Sequence, residues 1–154
     1  MGLKAHQKVV ADDINFRLDS VQTRGLVCGV SSTAGECEVA ADPSGVVVAG
    51  LLMMDVVNKG VPANLASDSS LDTGTISDSL TNGKNETYKG GLVRLLRKGE
   101  CSTSSVTGAI AQGDALYLAA SGIISATQAA GAPQVGFALE AKDSDGFVKM
   151  FLDV

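Results

Sequence analysis

Apolar and polar residues alternate along the last third of the chain, in short segments separated by turn residues. The segments ALYL (115–118), IISAT (123–127), QVGFALEA (134–141) and FVKMFLDV (147–154) each have the two-residue period of a β-strand. Gly-Asp at 113–114, AASG at 119–122 and KDSDG at 142–146 supply the turns between them, and Pro133 ends a connector. No helical period runs through this region. The pattern therefore predicts an all-β structure here.

The first half of the chain has the same character with less regular alternation. INFRLDSV (14–21), GLVCGV (25–30) and ECEVAA (36–41) are predicted strands, and DPSG (42–45) is a predicted turn. VVVAGLLMMDVVN (46–58) favours a buried strand with a bulge at Gly50, although a helix over 51–57 remains an alternative. The glycines that flank residues 92–98 favour a short strand over a helix there.

Two segments differ from this pattern. Residues 1–13 are mostly polar, and we interpret them as an N-terminal arm. Residues 62–91 are dominated by Ser, Thr, Asn, Asp and Gly without any sustained period, which is unusual for a connection inside a compact domain. We therefore expect a single β-rich domain over residues 14–154 that carries a polar insertion at 62–91. A length of 154 residues also fits one domain.

Composition restricts the partners that this domain can have. A net charge of -5 disfavours binding to the phosphates of nucleic acid, so we expect no nucleic-acid partner. The longest apolar run, 46–54, is much shorter than the ~20 residues that span a bilayer. The amino terminus also lacks the apolar region of a secretory signal. We expect a soluble protein without a membrane partner.

Residues that could support catalysis or bind a metal are sparse. His6 is the only histidine and belongs to the predicted arm, which makes a histidine-based metal site or catalytic pair improbable. Cys28, Cys37 and Cys101 form no CxxC motif, so we interpret them as small buried residues, with a metal or redox site as the alternative. DSDG at 143–146 is shorter than a calcium loop and favours a hairpin turn. We predict no enzyme activity, no catalytic or metal-binding residues and no cofactor.

The order of the C-terminal segments resembles a known family. GDALYLAASGIISAT (113–127) followed by PQVGFALEAKDSDGFVKMFL (133–152) is similar to the closing half of capsid decoration (cement) proteins of tailed bacteriophages. GLLMMDVVN (50–58) and VRLLRKGE (93–100) resemble segments of the cyanophage-type members. The similarity extends over about two-thirds of the chain, and the polar insertion departs from it.

The resemblance implies a compact domain of β-tulip or small-barrel type that stabilises the outer surface of an expanded capsid by bridging subunits of the major capsid protein. Such a protein is made in the host cytoplasm and becomes part of the virion exterior, and many members are trimers with an extended arm. On this basis we expect a homotrimer. The residues that we expect to contact the partner are Leu3, Lys4, Val9, Val10, Arg94 and Arg97.

Three alternatives remain open at this stage. The basic segment that contains Arg94, Arg97 and Lys98 could bind phosphate, although ordinary salt bridges or the carboxylates of a partner suit an acidic protein better. The domain could instead be a virion-surface or cell-surface module that binds carbohydrate or a host receptor. Tyr88 and Tyr117 would then be the only tyrosines available to stack on a sugar. An enzyme of unrecognised type is the third alternative.

Overall fold

The structure, a computed structural model, describes residues 8–58 and 86–154, with side chains from residue 16 onward within those ranges. This part of the chain is all-β, as predicted. The first six strands are β1 (Lys8–Leu18), β2 (Val27–Val30), β3 (Glu36–Glu38), β4 (Val48–Leu52), β5 (Asp55–Val57) and β6 (Glu86–Tyr88). The remaining strands are β7 (Leu92–Thr103), β8 (Val106–Thr107), β9 (Ala115–Leu118), β10 (Ile124–Ser125), β11 (Gln134–Ala138) and β12 (Val148–Asp153).

Five strands close into a small barrel. Around the ring, β1 pairs in parallel with β3. The other four pairs are antiparallel: β3 with β2, β2 with β4, β4 with β7, and β7 with β1. Closure removes free edges from these strands, which otherwise invite pairing with other chains. The predicted small-barrel architecture is therefore confirmed.

A second group of strands extends the sheet away from the barrel. It continues from β7 through β12, β11, β9, β10 and β8, and we call these last five strands the extension. β5 and β6 form a separate parallel pair, with Val57 opposite Tyr88. In the chain, these two strands flank residues 59–85, which lie outside the described part.

The barrel and the extension have separate hydrophobic cores on the two sides of one shared wall. Leu52 and Leu95 belong to the cluster inside the barrel, whereas their neighbours Leu51 and Leu96 belong to the cluster under the extension. Successive side chains of a strand point to opposite faces, so β4 and β7 are buried on both sides. This explains why residues 46–58 are almost continuously apolar instead of alternating.

A bulge in β7 marks the place where the barrel gives way to the extension. Asp12 of β1 is opposite Leu96 and Ala11 is opposite Lys98, so Arg97 is an extra residue. On the other edge of β7, the neighbour is β4 at Leu95 and Leu96 and becomes β12 from Lys98 onward. The bulge thus lets one long strand belong to both units.

A second bulge confirms the prediction at Gly50. Cys28 is opposite Gly50 while Gly29 is opposite Val48, which leaves Ala49 as the extra residue of β4. Gly50 has a φ of 151°, and a Cβ atom there would lie 2.8 Å from the carbonyl oxygen of Leu96. Only glycine fits this approach of β4 to β7 without displacement.

Several predicted boundaries differ from those observed. β1 begins at Lys8, so residues 8–13 of the predicted arm are part of a strand that pairs with β7, while residues 1–7 lie outside the described residues. Residues 51–57 form the end of β4 and β5, so the helical alternative is wrong. The turn at 119–122 includes a short 3-10 helix at Ala120–Gly122, in which Ser121 is left-handed with a φ of 58°. The strand that follows is limited to Ile124–Ser125.

Candidate functional site

The six residues predicted to contact a partner fall into three groups. Leu3 and Lys4 lie outside the described residues. Val9 and Val10 lie in β1, where Val9 is opposite Gly99 of β7, so this stretch of backbone is already paired within the chain. Arg94 and Arg97 lie in β7 and are exposed. The structure therefore joins the predicted arm and the predicted basic segment through β1 and β7.

Exposed apolar residues lie beside the first half of β7. Leu92 is 53% exposed and Tyr88 is 58% exposed, and both flank a turn in which the Gly91 N–H donates to the Tyr88 carbonyl at 2.8 Å. Leu92 and Arg94 are two residues apart on one strand, so their side chains point to the same face. Val93 and Leu95 point the other way and are buried in the barrel.

Cationic residues lie near these apolar residues. Arg17 is the partner of Leu92 in the β1–β7 pairing, and its guanidinium is 3.5 Å from the Gly90 carbonyl. Lys89 lies in the same turn, with its Nζ 3.8 Å from a carboxylate oxygen of Asp19. We call the surface made by Arg17, Tyr88, Lys89, Leu92 and Arg94 the β7 surface. It combines three cations with two exposed apolar side chains in a chain whose net charge is -5.

The rest of the predicted basic segment is arranged differently. Lys98 makes a 3.0 Å ion pair with Asp153 of β12, the kind of ordinary salt bridge that the sequence favoured. Arg97 is the extra residue of the bulge, and its carbonyl accepts from the N–H of Val154 at 3.0 Å. Arg94 thus lies before the bulge, beside the barrel, whereas Arg97 lies in the bulge and Lys98 follows it, beside the extension.

The acidic turn at 143–146 is a hairpin turn, as predicted. A carboxylate oxygen of Asp143 accepts from the backbone N–H of Asp145 at 3.0 Å and of Phe147 at 2.7 Å. That oxygen is therefore used to hold the turn. Among the residues that the structure describes, no group of three or more His, Cys, Asp or Glu side chains is placed to hold a metal ion.

The three cysteines are buried and free, in agreement with the prediction of small buried residues. Cys101 lies in the core under the extension, where burial raises the pKa of its thiol to about 12. Cys28 and Cys37 lie together inside the barrel. Their proximity was not predicted, because it depends on the pairing of β2 with β3.

Comparison with known proteins leaves the family open. The chain matches no protein-family model and no curated protein. Within residues 8–58 and 86–154, no helix is long and apolar enough to cross a membrane.

Arg17, Tyr88 and Leu92 were not among the six residues predicted to contact a partner. A local signal existed in part, because Leu92 and Arg94 alternate with the buried Val93 and Leu95. Arg17 comes from β1, more than seventy positions earlier, and only the long-range pairing of β1 with β7 brings it there. No local pattern carries that information.

Proposed function

We propose that this protein is a structural virion protein that binds the outer surface of an expanded phage capsid and stabilises it by bridging major capsid protein subunits. The resemblance of the C-terminal segments to capsid decoration proteins motivates the proposal, and the small all-β barrel is compatible with it. The single observation that carries the contact model is the β7 surface.

The chemistry of the β7 surface suits a protein partner. Tyr88 and Leu92 offer apolar area that is lost from water on binding. Tyr and Arg, the types of Tyr88, Arg17 and Arg94, are enriched among the residues that dominate the energetics of protein interfaces. Arg17, Lys89 and Arg94 supply positive charge against an otherwise acidic protein. We therefore infer that the capsid contributes carboxylates around an apolar depression, and that these charges set the orientation of docking.

The capsid shell also provides multiplicity. A decoration protein binds many equivalent places on one shell, so modest contacts in each copy add up to a large total stabilisation. A trimer would present three β7 surfaces at once and would gain from the high effective concentration of the second and third contacts. Light scattering checks this part of the proposal, since a trimer has three times the 15.6 kDa mass of one chain.

Co-sedimentation tests the proposal. Purified protein is mixed with expanded, undecorated capsids of the cognate major capsid protein, and the bound fraction is measured after centrifugation. The wild type is expected to co-sediment to a saturable stoichiometry. Leu92→Asp, which places a charge in the centre of the β7 surface, is expected to weaken binding at least tenfold. Failure of the wild type to co-sediment at saturating concentration would refute the proposal.

Val47→Asp is the matched control. Val47 is 69% exposed and precedes β4. Its substitution by Asp makes the same apolar-to-acidic change outside the β7 surface. It is expected to bind as the wild type does. Equal loss of binding in both variants would show that net charge, and not the β7 surface, controls the interaction.

A second candidate function is recognition of carbohydrate or a host receptor on the virion surface. Phe137 is 43% exposed and stacks on Phe151, with ring centroids 5.6 Å apart. Exposed aromatic faces are the groups on which sugars stack. A glycan array tests this alternative: selective binding that Phe137→Ser abolishes would support it, and absence of binding to any glycan would remove its carbohydrate form.

A further inference from the structure

Two cysteines of the barrel are diagonal neighbours on adjacent strands. The β2–β3 register sets Gly29 opposite Glu38 and Val30 opposite Cys37. Cys28 and Cys37 are therefore diagonal neighbours, and both are in the core cluster inside the barrel. Neither is disulfide-bonded.

The two thiols have opposite pKa shifts. Hydrogen bonding with the Cys28 side chain lowers the pKa of Cys37. The same bond, together with burial, raises the pKa of Cys28 well above its usual value. The thiolate is the nucleophilic form of cysteine, so this difference favours Cys37 as the attacking member of the pair.

A cavity gives access to Cys37. Although Cys37 is only 3% exposed, it forms part of the wall of a solvent-open cavity of about 310 Å³ between the end of β1 and β3. Cys28 is not among the residues that line this cavity. A small molecule that enters would therefore meet Cys37 first and Cys28 behind it.

The charge of the cavity selects among possible reagents. The residues that line it include Asp19, Glu36 and Glu38, and none of the described residues that line it is a lysine or an arginine. Lys89, 3.8 Å from Asp19, offsets one of these charges in part. An acidic entrance attracts cationic molecules and repels anionic ones.

We propose that Cys37 and Cys28 form a thiol–disulfide exchange site for small cationic disulfides. The Cys37 thiolate attacks one sulfur of the disulfide, the S–S bond breaks, and one aminothiol leaves with a proton from solvent. Cys28 then loses its proton and attacks the Cys37 sulfur of the mixed disulfide, which expels the second aminothiol. The balance is two protein thiols and one small disulfide converted into one protein disulfide and two small thiols.

Formation of the protein disulfide requires the two strands to move. Diagonal cross-strand neighbours have Cα atoms about 7–8 Å apart. Unstrained disulfides join Cα atoms about 4.4–6.8 Å apart, so β2 and β3 have to move closer together when the bond forms.

Mass spectrometry of the native protein tests the site with cystamine as the probe. The wild type is expected to lose two hydrogens, with peptide mapping that shows a Cys28–Cys37 disulfide and a free Cys101. In Cys28→Ser, the reaction is expected to stop at one cysteamine attached to Cys37. In Cys37→Ser, modification is expected to fall at least tenfold, to the slow rate of Cys101. Circular dichroism establishes that each variant is folded.

Three results would overturn the proposal. The first is modification of Cys37 in the wild type only after denaturant is added. The second is a wild-type protein that keeps the cysteamine adduct and forms no disulfide. The third concerns the charge of the reagent. Each rate is first divided by the rate of the same reagent with a free cysteine peptide. Cys37 is then expected to react at least tenfold faster with cystamine than with anionic dithiodiglycolate. Equal ratios would contradict the cationic selectivity.

Discussion

The barrel and the extension use the same kinds of residue in two different ways. In the extension, β9 and β12 have one buried and one more accessible face, and their residues alternate accordingly. In the barrel wall, β4 and the middle of β7 have a core on each side, and Leu51–Leu52 and Leu95–Leu96 are buried as adjacent pairs. The number of buried faces, more than the tendency to form strands, determines the sequence pattern.

This difference makes the wall the structural centre of the molecule. The two cores touch opposite faces of β4 and β7, which form their shared wall. If one core loses its packing, the strands that support the other core are therefore exposed as well. We therefore expect the barrel and the extension to unfold as one cooperative unit in spite of their separate cores. The four predictions below test this comparison.

Truncation of the wall is expected to have the largest effect. Leu52→Ala opens a cavity in the core of the barrel and Leu51→Ala in the core under the extension, and each should lower the free energy of unfolding by about 2–5 kcal/mol. Calorimetry is expected to show one transition, shifted to lower temperature, for both variants. Two separate transitions in either variant would show that the units unfold independently.

Glycine substitutions compare close backbone approaches in the two units. A Cβ at Gly50 of the barrel would lie 2.8 Å from the Leu96 carbonyl oxygen, and one at Gly136 of the extension would collide with the Phe151 carbonyl. Each change to alanine is expected to cost about 1–3 kcal/mol or more in urea unfolding.

Gly35→Ala is the control for these two variants. Gly35 has a φ of 79°, and no atom lies within 4 Å of the Cβ position, so only backbone strain of about 1–2 kcal/mol is added. A cost for Gly136→Ala that does not exceed the cost for the control would contradict the predicted collision.

The sequence predicts features that depend on neighbouring residues, but not features that depend on the pairing of distant strands. The alternation at 115–118 and 147–154, the turn residues of DSDG and the bulge at Gly50 were all predicted, because each depends on neighbours in the chain. Closure of the barrel depends on β1 pairing with both β3 and β7, and nothing local encodes these partners. The β7 surface and the Cys28–Cys37 contact arise from such pairings, so only their individual residues could be suspected.

The cores also differ in their expected response to alkaline pH. Burial raises the pKa of Cys101 from 9.0 to about 12, so the folded state keeps a proton that the unfolded chain releases. The stabilisation is complete below pH 9 and is lost as the pH rises from 9 toward 12. Over that window the slope is up to about 1.4 kcal/mol per pH unit.

Cys101→Ala isolates this effect in the core under the extension. The free energy of unfolding is measured by urea titration at several pH values between 8 and 11. The variant is expected to show a flatter decline than the wild type, while Cys28 of the barrel core contributes equally to both. Identical slopes would contradict the assignment to Cys101.

The smallest effect is expected in the turn that leads into β12. Asp143→Ala removes the acceptor for two backbone N–H groups at an exposed site, with an expected loss of about 1 kcal/mol. Asp145→Ala is the matched control, because Asp145 takes part in this motif through its backbone N–H. Thermal unfolding should separate the two variants, and equal midpoints would remove the role assigned to the Asp143 carboxylate.

Cryo-electron microscopy of expanded cognate capsids saturated with this protein tests the proposed function most directly. The account predicts ordered density on the outer surface of the shell, into which the barrel fits with Tyr88, Leu92 and Arg94 directed at the major capsid protein. A bare shell, or bound barrels whose β7 surface faces solvent, would contradict it.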